Sequence, residues 1–143
     1  PTAKKLVDMS AGKVNLVLRF YPLDSHPHAD ALANAGECIG HEKGNATFWR
    51  FSDVVFSGGM NESSIDLFFD RIVPLFRLDN ASFRKCISSG KYEPSIKDSL
   101  NEGNLIGITG TPSIVLYDRV TKKAKFIAGT RSLDKLQKEI DSL

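Results

Sequence analysis

The chain has 143 residues, 41% of them hydrophobic, which is enough for one globular domain with its own core. Its 19 basic and 17 acidic residues leave a formal net charge of +2, and the basic residues are scattered, which argues against nucleic acid as a partner. The longest apolar run, Val14 to Phe20, contains Asn15 and Arg19 and is too short to cross a bilayer.

The amino-terminal part predicts one helix followed by one strand. Thr2 to Ser10 places its apolar residues on one helical face, and Gly12 follows as a stop signal. Val14 to Phe20 is almost entirely apolar and predicts a buried strand, which Pro22 ends.

The middle of the chain predicts five helices. The first covers Pro27 to Gly40, where small and apolar residues recur at helical spacing. The other four are predicted at Thr47–Phe56, from Ser63 or Ser64 to Val73, at Ser82–Ser88 and at Ser95–Asn101. Their expected boundary signals are a cap at Thr47, stops at Gly58-Gly59, Gly90 and Gly103, and a break at Pro74.

The carboxy-terminal part predicts two strands and a helix. Ser113 to Tyr117 is β-branched and apolar, and a turn around Thr121-Lys122-Lys123 leads to a short strand, Ala124 to Ile127. The last helix begins after Ser132. The order of elements is therefore that of an α/β protein with a helical block between its strands.

A family resemblance rests on five segments that occur in a characteristic order and spacing. They are Arg19-Phe20-Tyr21-Pro22-Leu23, His26-Pro27-His28-Ala29, Phe48-Trp49-Arg50-Phe51-Ser52-Asp53, Phe83 to Cys86, and Gly107 to Pro112. Together they resemble the DsbA-like protein-disulfide oxidoreductases, in the branch with a second cysteine pair. The resemblance implies a thioredoxin-like core formed by residues 1–24 and 104–143, interrupted by an all-helical insertion at residues 25–103.

The resemblance also implies that a catalytic dithiol belongs outside this sequence. In the family a Cys-x-x-Cys motif opens the helix after the first core strand, and Pro1 to Gly12 resembles the far end of that helix. Because the chain begins at Pro1 and not at Met, we expect a processed or cut terminus, with the strand and the motif upstream. We therefore expect no catalytic residue here and expect another segment or chain to supply the missing first strand.

The loop from Gly107 to Pro112 is the candidate binding site. The resemblance implies a cis Thr111–Pro112 peptide, with Gly110, Thr111 and Pro112 contacting substrate through the free backbone groups of Thr111. The alternative is a turn that merely redirects the chain.

Cys38 and Cys86 are the two cysteines of the sequence, and three interpretations are open for them. We favour a structural disulfide; the alternatives are two free buried thiols and a catalytic pair. A catalytic pair is disfavoured because neither residue lies at a predicted helix start, where thiolate pKa values fall.

His26 and His28 raise the question of a metal site, but no third ligand stands at a recognised spacing. We predict neither a metal nor a cofactor.

Aromatic residues in the helical block have two interpretations, a core or an exposed face for peptides. We expect mostly core. The residues are Phe48, Trp49, Phe51, Phe56, Phe68, Phe69 and Phe76.

The resemblance implies a thiol:disulfide oxidoreductase that donates disulfides to folding exported proteins, present here without its dithiol. The alternative is a redox-inactive, chaperone-like module that binds polypeptides. The expected partners are folding polypeptides and a membrane or soluble redox protein. The expected location is the periplasm or another exported compartment.

Overall fold

The computed structural model describes residues 2–58 and 63–143, which form seven helices and two strands within those ranges. In chain order they are α1 (Thr2–Met9), α2 (Ala29–Lys43), α3 (Asn45–Phe56), α4 (Ile65–Leu75), α5 (Asn80–Ser88), α6 (Glu93–Leu105), β1 (Ser113–Tyr117), β2 (Ala124–Ala128) and α7 (Leu133–Asp141). None of these helices has the length and apolar character needed to span a membrane.

Two compact units divide the chain. One unit consists of residues up to Tyr21 together with Asn101–Leu143, and the other is Pro22–Leu100. The first contains α1, both strands and α7, and we call it the strand unit. The second contains α2 to α5 and most of α6, and we call it the helical unit.

The strand unit is built around an antiparallel hairpin. Strands β1 and β2 pair with Val115 opposite Phe126, so alternate side chains face opposite sides. The inward face contributes Ile127, which is buried with Leu6 of α1 and Leu136 of α7. Further apolar residues pack around these three and extend the core: Ala3, Val14, Ile114, Leu116, Leu133 and Ile140.

The strand predicted at Val14 to Phe20 is wrong, because this segment has no strand hydrogen bonds within the part of the chain that the structure describes. A strand requires a neighbour for its N–H and C=O groups, and among the described residues β1 and β2 pair with each other and with no third strand. The segment is also not fully buried. Its residues alternate between half-buried and exposed, and the side chain of Val17 is 75% exposed.

The helical unit encloses an aromatic core. Most of the aromatic side chains of the block are buried, and their rings meet largely edge to face, as in Phe69 and Phe83 at 5.4 Å. The buried rings are Phe51, Phe68, Phe69, Phe76 and Phe83. Phe56 is 67% exposed, and Phe48 and Trp49 are half-buried.

Several predicted helix boundaries differ from the observed ones. Helix α3 starts at Asn45, and the Thr47 hydroxyl, expected as a cap, instead donates to the Lys43 carbonyl oxygen at 3.2 Å. Helix α5 starts earlier than Ser82, because the carboxylate of Asp79 accepts a hydrogen bond from the Ser82 N–H at 2.8 Å.

Other boundaries agree with the sequence. Ser64 caps α4 by accepting from the Leu67 N–H, and α4 ends one residue after Pro74. Gly58 follows α3 with φ 76°, whereas Gly59 lies outside the described residues.

A disulfide joins α2 to α5. The Cα atoms of Cys38 and Cys86 are 6.0 Å apart, and the two residues are separated by 48 positions. Next to the disulfide, the buried Asn34 side chain donates to the Ile87 carbonyl oxygen at 3.1 Å and links the same two helices. The structure thus contains the favoured disulfide, with Cys38 itself 3% exposed.

Replacing both cysteines by alanine should lower the free energy of unfolding by about 4 kcal/mol, because the disulfide restricts a long loop in the unfolded chain. Urea unfolding of the oxidised protein and the double variant measures the difference. Reducing the oxidised protein should produce a similar loss, and an unchanged midpoint in both experiments would contradict a stabilising role for Cys38–Cys86.

Asp79 should make the stability of the helical unit depend on pH. The Ser82 backbone N–H, and then its hydroxyl, hold the pKa of this carboxyl below its usual 3.8. A lowered pKa stabilises the fold above the usual value, and this contribution is lost as the pH falls through the lowered pKa. Asp79→Ala should therefore be less stable than the natural protein at pH 7, and this difference should become smaller at about pH 2.

Asp79→Asn is the matched control, because asparagine also caps helices but does not titrate. Chemical unfolding at the two pH values tests both variants. Equal losses for Asp79→Ala at both pH values would show that the carboxylate charge plays no part.

Candidate functional site

The candidate loop begins where α6 ends in a Schellman motif. Gly107 has φ 83°, and its N–H donates to the Asn104 carbonyl oxygen at 3.0 Å. The next N–H, that of Ile108, donates to the Gly103 carbonyl oxygen at 2.9 Å. Helix α6 therefore ends at Leu105, just before Gly107, and the stop predicted at Gly103 is wrong.

Gly103 lies inside α6, at a position where the ring of Tyr21 packs directly against the helix. A Cβ atom at Gly103 would come within 2.8 Å of ring atoms Cδ2 and Cε2 of Tyr21. Such a distance is shorter than any ordinary carbon contact, so the ring and a larger residue exclude each other. The glycine permits the close approach of Tyr21 and is not a helix terminator.

Tyr21 also holds the first residue of the loop. Its hydroxyl donates to the Ile108 carbonyl oxygen at 2.9 Å and also contacts the side-chain oxygen of Asn104. Since the Ile108 N–H is bonded to α6, both backbone groups of Ile108 are fixed. Arg19 lies two residues before Tyr21, and its guanidinium forms an ion pair with the carboxylate of Glu102 in α6.

The far end of the loop is tied to the hairpin. The Ser113 hydroxyl donates to the Gly110 carbonyl oxygen at 2.7 Å, and the Gly129 N–H donates to the Pro112 carbonyl oxygen at 2.8 Å. The Thr111–Pro112 peptide bond is cis, as predicted.

Thr111 lies between these two anchored ends and is exposed. Across the described ranges, no hydrogen bond involves its backbone N–H or C=O. Strand β1, which follows Pro112, pairs with β2 along one edge. Its other edge has no neighbouring strand among the described residues. An extended chain could bond to both features through its own backbone.

The two cysteines lie elsewhere in the fold. Cys38 is in the interior of α2 and Cys86 is near the end of α5, so neither occupies a helix amino terminus. Both are used in the disulfide, and no free thiol is present. Thiol chemistry therefore has no nucleophile within this chain.

No candidate metal site occurs among the described residues, because no three potential histidine, cysteine or carboxylate ligands cluster there. His26 and His28 are exposed, and His28 precedes α2 in a left-handed conformation with φ 63°.

Comparison with known proteins agrees with this geometry. The sequence matches the family described as Thioredoxin over residues 2–142. It is also similar to the crystal structure of Pseudomonas aeruginosa DsbA2, with 30% identity and a TM-score of 0.78 over 99% of this chain and 78% of that one. The chain belongs to the DsbA-like thioredoxin family. A search of the curated proteins gave no match.

Membership of the DsbA-like family confirms the predicted fold, a thioredoxin-like α/β protein with a helical insertion. It also places the chain among the thiol:disulfide oxidoreductases as a family. The assignment of Gly110, Thr111 and Pro112 to substrate binding stays a prediction.

Tyr21 and its partners were missed as parts of the site. Tyr21 and Ile108 are 87 positions apart, and a local sequence pattern carries no signal for such a contact. The available signal was Gly103, because a glycine in a helical pattern can mark a close approach by another residue as well as a helix end.

The contact between Gly103 and Tyr21 predicts a reversal of sign. Gly103→Ala should destabilise the protein by about 1–2 kcal/mol, because overpacking against the ring outweighs the higher helix propensity of alanine. In a Tyr21→Ala background the ring is absent, so the same substitution should stabilise by up to about 1 kcal/mol. Urea unfolding of the four proteins measures both effects, and a loss of equal size in both backgrounds would contradict the contact.

Proposed function

We propose that this chain is the substrate-docking part of a thiol:disulfide oxidoreductase that donates disulfides to folding exported proteins. The observation that carries the proposal is the Thr111–Pro112 loop, in which Thr111 is exposed between two fixed ends and its N–H and C=O groups have no hydrogen-bond partner within residues 2–58 and 63–143. A substrate in extended conformation would bond to these groups as an added strand does. Such binding is independent of substrate sequence, which suits an enzyme with many substrates.

The proposed reaction is thiol–disulfide exchange. A substrate thiolate attacks one sulfur of an oxidised Cys-x-x-Cys, forming a mixed disulfide and releasing the other enzyme sulfur as a thiolate. A second substrate thiolate then attacks the substrate sulfur of the mixed disulfide, which leaves an oxidised substrate and a reduced enzyme. A membrane or soluble redox partner reoxidises the enzyme.

The Cys-x-x-Cys belongs outside this sequence in the proposal, because Cys38 and Cys86 are joined to each other away from the loop. The proposal includes a strand from another segment or another chain, which would pair with the open edge of β1. Polypeptide disulfides persist in oxidising compartments, so we place the protein in the periplasm or another exported compartment.

The second candidate is a redox-inactive module that binds polypeptides in the manner of a chaperone. One observation favours it: the docking groups of Thr111 are present, whereas both cysteines of the chain are occupied in a disulfide. The two candidates differ in one measurable property, which is turnover by the full-length protein that carries this sequence.

We predict that the full-length protein oxidises a reduced model protein, while residues 1–143 alone show no turnover because neither cysteine lies at a helix amino terminus. Substituting Cys38 and Cys86 by alanine in the full-length protein should leave the rate unchanged at a temperature where the variant is folded. Turnover by the isolated chain, or its loss in this variant, would assign catalysis to Cys38–Cys86. An inactive full-length protein that still binds peptides would support the chaperone-like module.

Binding to the loop can be tested separately from turnover. A substrate peptide with its cysteine replaced by serine should shift the backbone amide resonances of Gly110 and Thr111 more than those of the helical unit. The experiment requires the full-length protein, in which the proposed strand is present. Shifts centred on the helical unit would instead place peptide binding at exposed side chains such as Phe56.

A further inference from the structure

The loop that presents Thr111 is fixed at its start by a single side chain from a distant part of the sequence. Tyr21 donates its hydroxyl hydrogen to the Ile108 carbonyl oxygen at 2.9 Å, and three residues separate this anchor from Pro112. At the other end the Gly110 and Pro112 carbonyl oxygens are bonded to Ser113 and Gly129. The position of the Thr111 backbone therefore depends on both anchors.

The hydroxyl of Tyr21 has a role that its ring does not supply. The ring packs on Gly103, and a phenylalanine ring would fill that space equally well. The hydroxyl alone reaches the Ile108 carbonyl oxygen and the Asn104 side chain. Because the last carbonyls and the residues beyond a helix end lack helical hydrogen bonds, a donor placed there restrains backbone that would otherwise move.

We propose that Tyr21 is a positioning residue for polypeptide docking, acting through its hydroxyl on Ile108 and so on the Thr111–Pro112 loop. The inference rests on the proposed function, since it assumes that substrate binds at Thr111. Among the described residues the hydroxyl of Tyr21 bonds to Ile108 and Asn104, so its effect falls on substrate affinity and not on the chemistry of the dithiol.

The test compares Tyr21→Phe with the natural full-length protein. The substitution keeps the ring on Gly103 and removes the hydrogen bond, whose typical net contribution predicts a rise in KM for a peptide thiol of about three- to tenfold. The kcat and the reduction potential of the dithiol should not change. Tyr92→Phe is the matched control, because its hydroxyl has no hydrogen-bond partner among the described residues and it lies in the helical unit.

Amide hydrogen exchange provides a readout that does not need enzyme activity. In Tyr21→Phe the Ile108 amide should exchange about three- to tenfold faster, while the amides of Ile114 and Ile127 in the hairpin keep their rates. Tyr92→Phe should leave all three rates unchanged. Uniform acceleration across the hairpin would indicate general destabilisation and overturn the inference.

The two readouts separate failure of the inference from failure of the proposed function. Faster exchange at Ile108 together with a higher KM supports the positioning role. Faster exchange in a protein without peptide binding or turnover overturns the proposed function and, with it, a docking role for the anchor. An active protein in which Tyr21→Phe has the natural KM overturns the inference and leaves the proposed function standing.

Discussion

The hydrogen-bonding requirement of β1 is the constraint on which the strand unit depends. Each residue of a strand carries a donor and an acceptor, and burial of either without a partner is costly. Strand β1 satisfies one edge with β2, whose Ile127 joins Leu6 and Leu136 in the buried core. Its other edge has no partner in residues 2–58 or 63–143. The strand that we propose from another segment or chain would pair with this edge, which adjoins the Thr111 loop.

The helical unit satisfies its backbone hydrogen bonds inside its helices and not through a sheet. Within its helices the backbone groups are paired with one another, and its aromatic rings form a core without any strand among the described residues. A disulfide and the buried Asn34 hold α2 and α5 together. Polar contacts extend this pattern to the surface, where Arg84 pairs with the carboxylates of Asp66 and Asp70.

The parts of the fold that could be predicted were those whose signals are local. The apolar, β-branched run from Ser113 to Tyr117 identified β1, and of the two expected caps of α4, Ser63 and Ser64, the structure uses Ser64. The strand at Val14 to Phe20 failed because pairing depends on a neighbour that the sequence pattern cannot supply. Gly103 was misread as a stop because the reason for a glycine there is the Tyr21 ring, 82 positions away and invisible to local rules.

The site was predictable to a similar extent. The family resemblance named Gly110, Thr111 and Pro112 as the candidate loop, because the order of several landmarks is visible in sequence, and their role in substrate binding stays a prediction. The anchors at Ile108 and Gly129 were not predicted, since each is a hydrogen bond between residues that lie far apart in the sequence.

The alternation of residues 14–20 has a consequence for assembly. Val14, Leu16 and Phe20 are half-buried while Asn15 and Val17 face solvent, so the segment already has the two-sided geometry of a strand. The side chains of this segment already alternate between its two faces. A strand that paired with the segment could therefore form backbone hydrogen bonds without any change in which side chains face inward. Backbone pairing at residues 14–20 would therefore leave the present division between half-buried and exposed side chains unchanged.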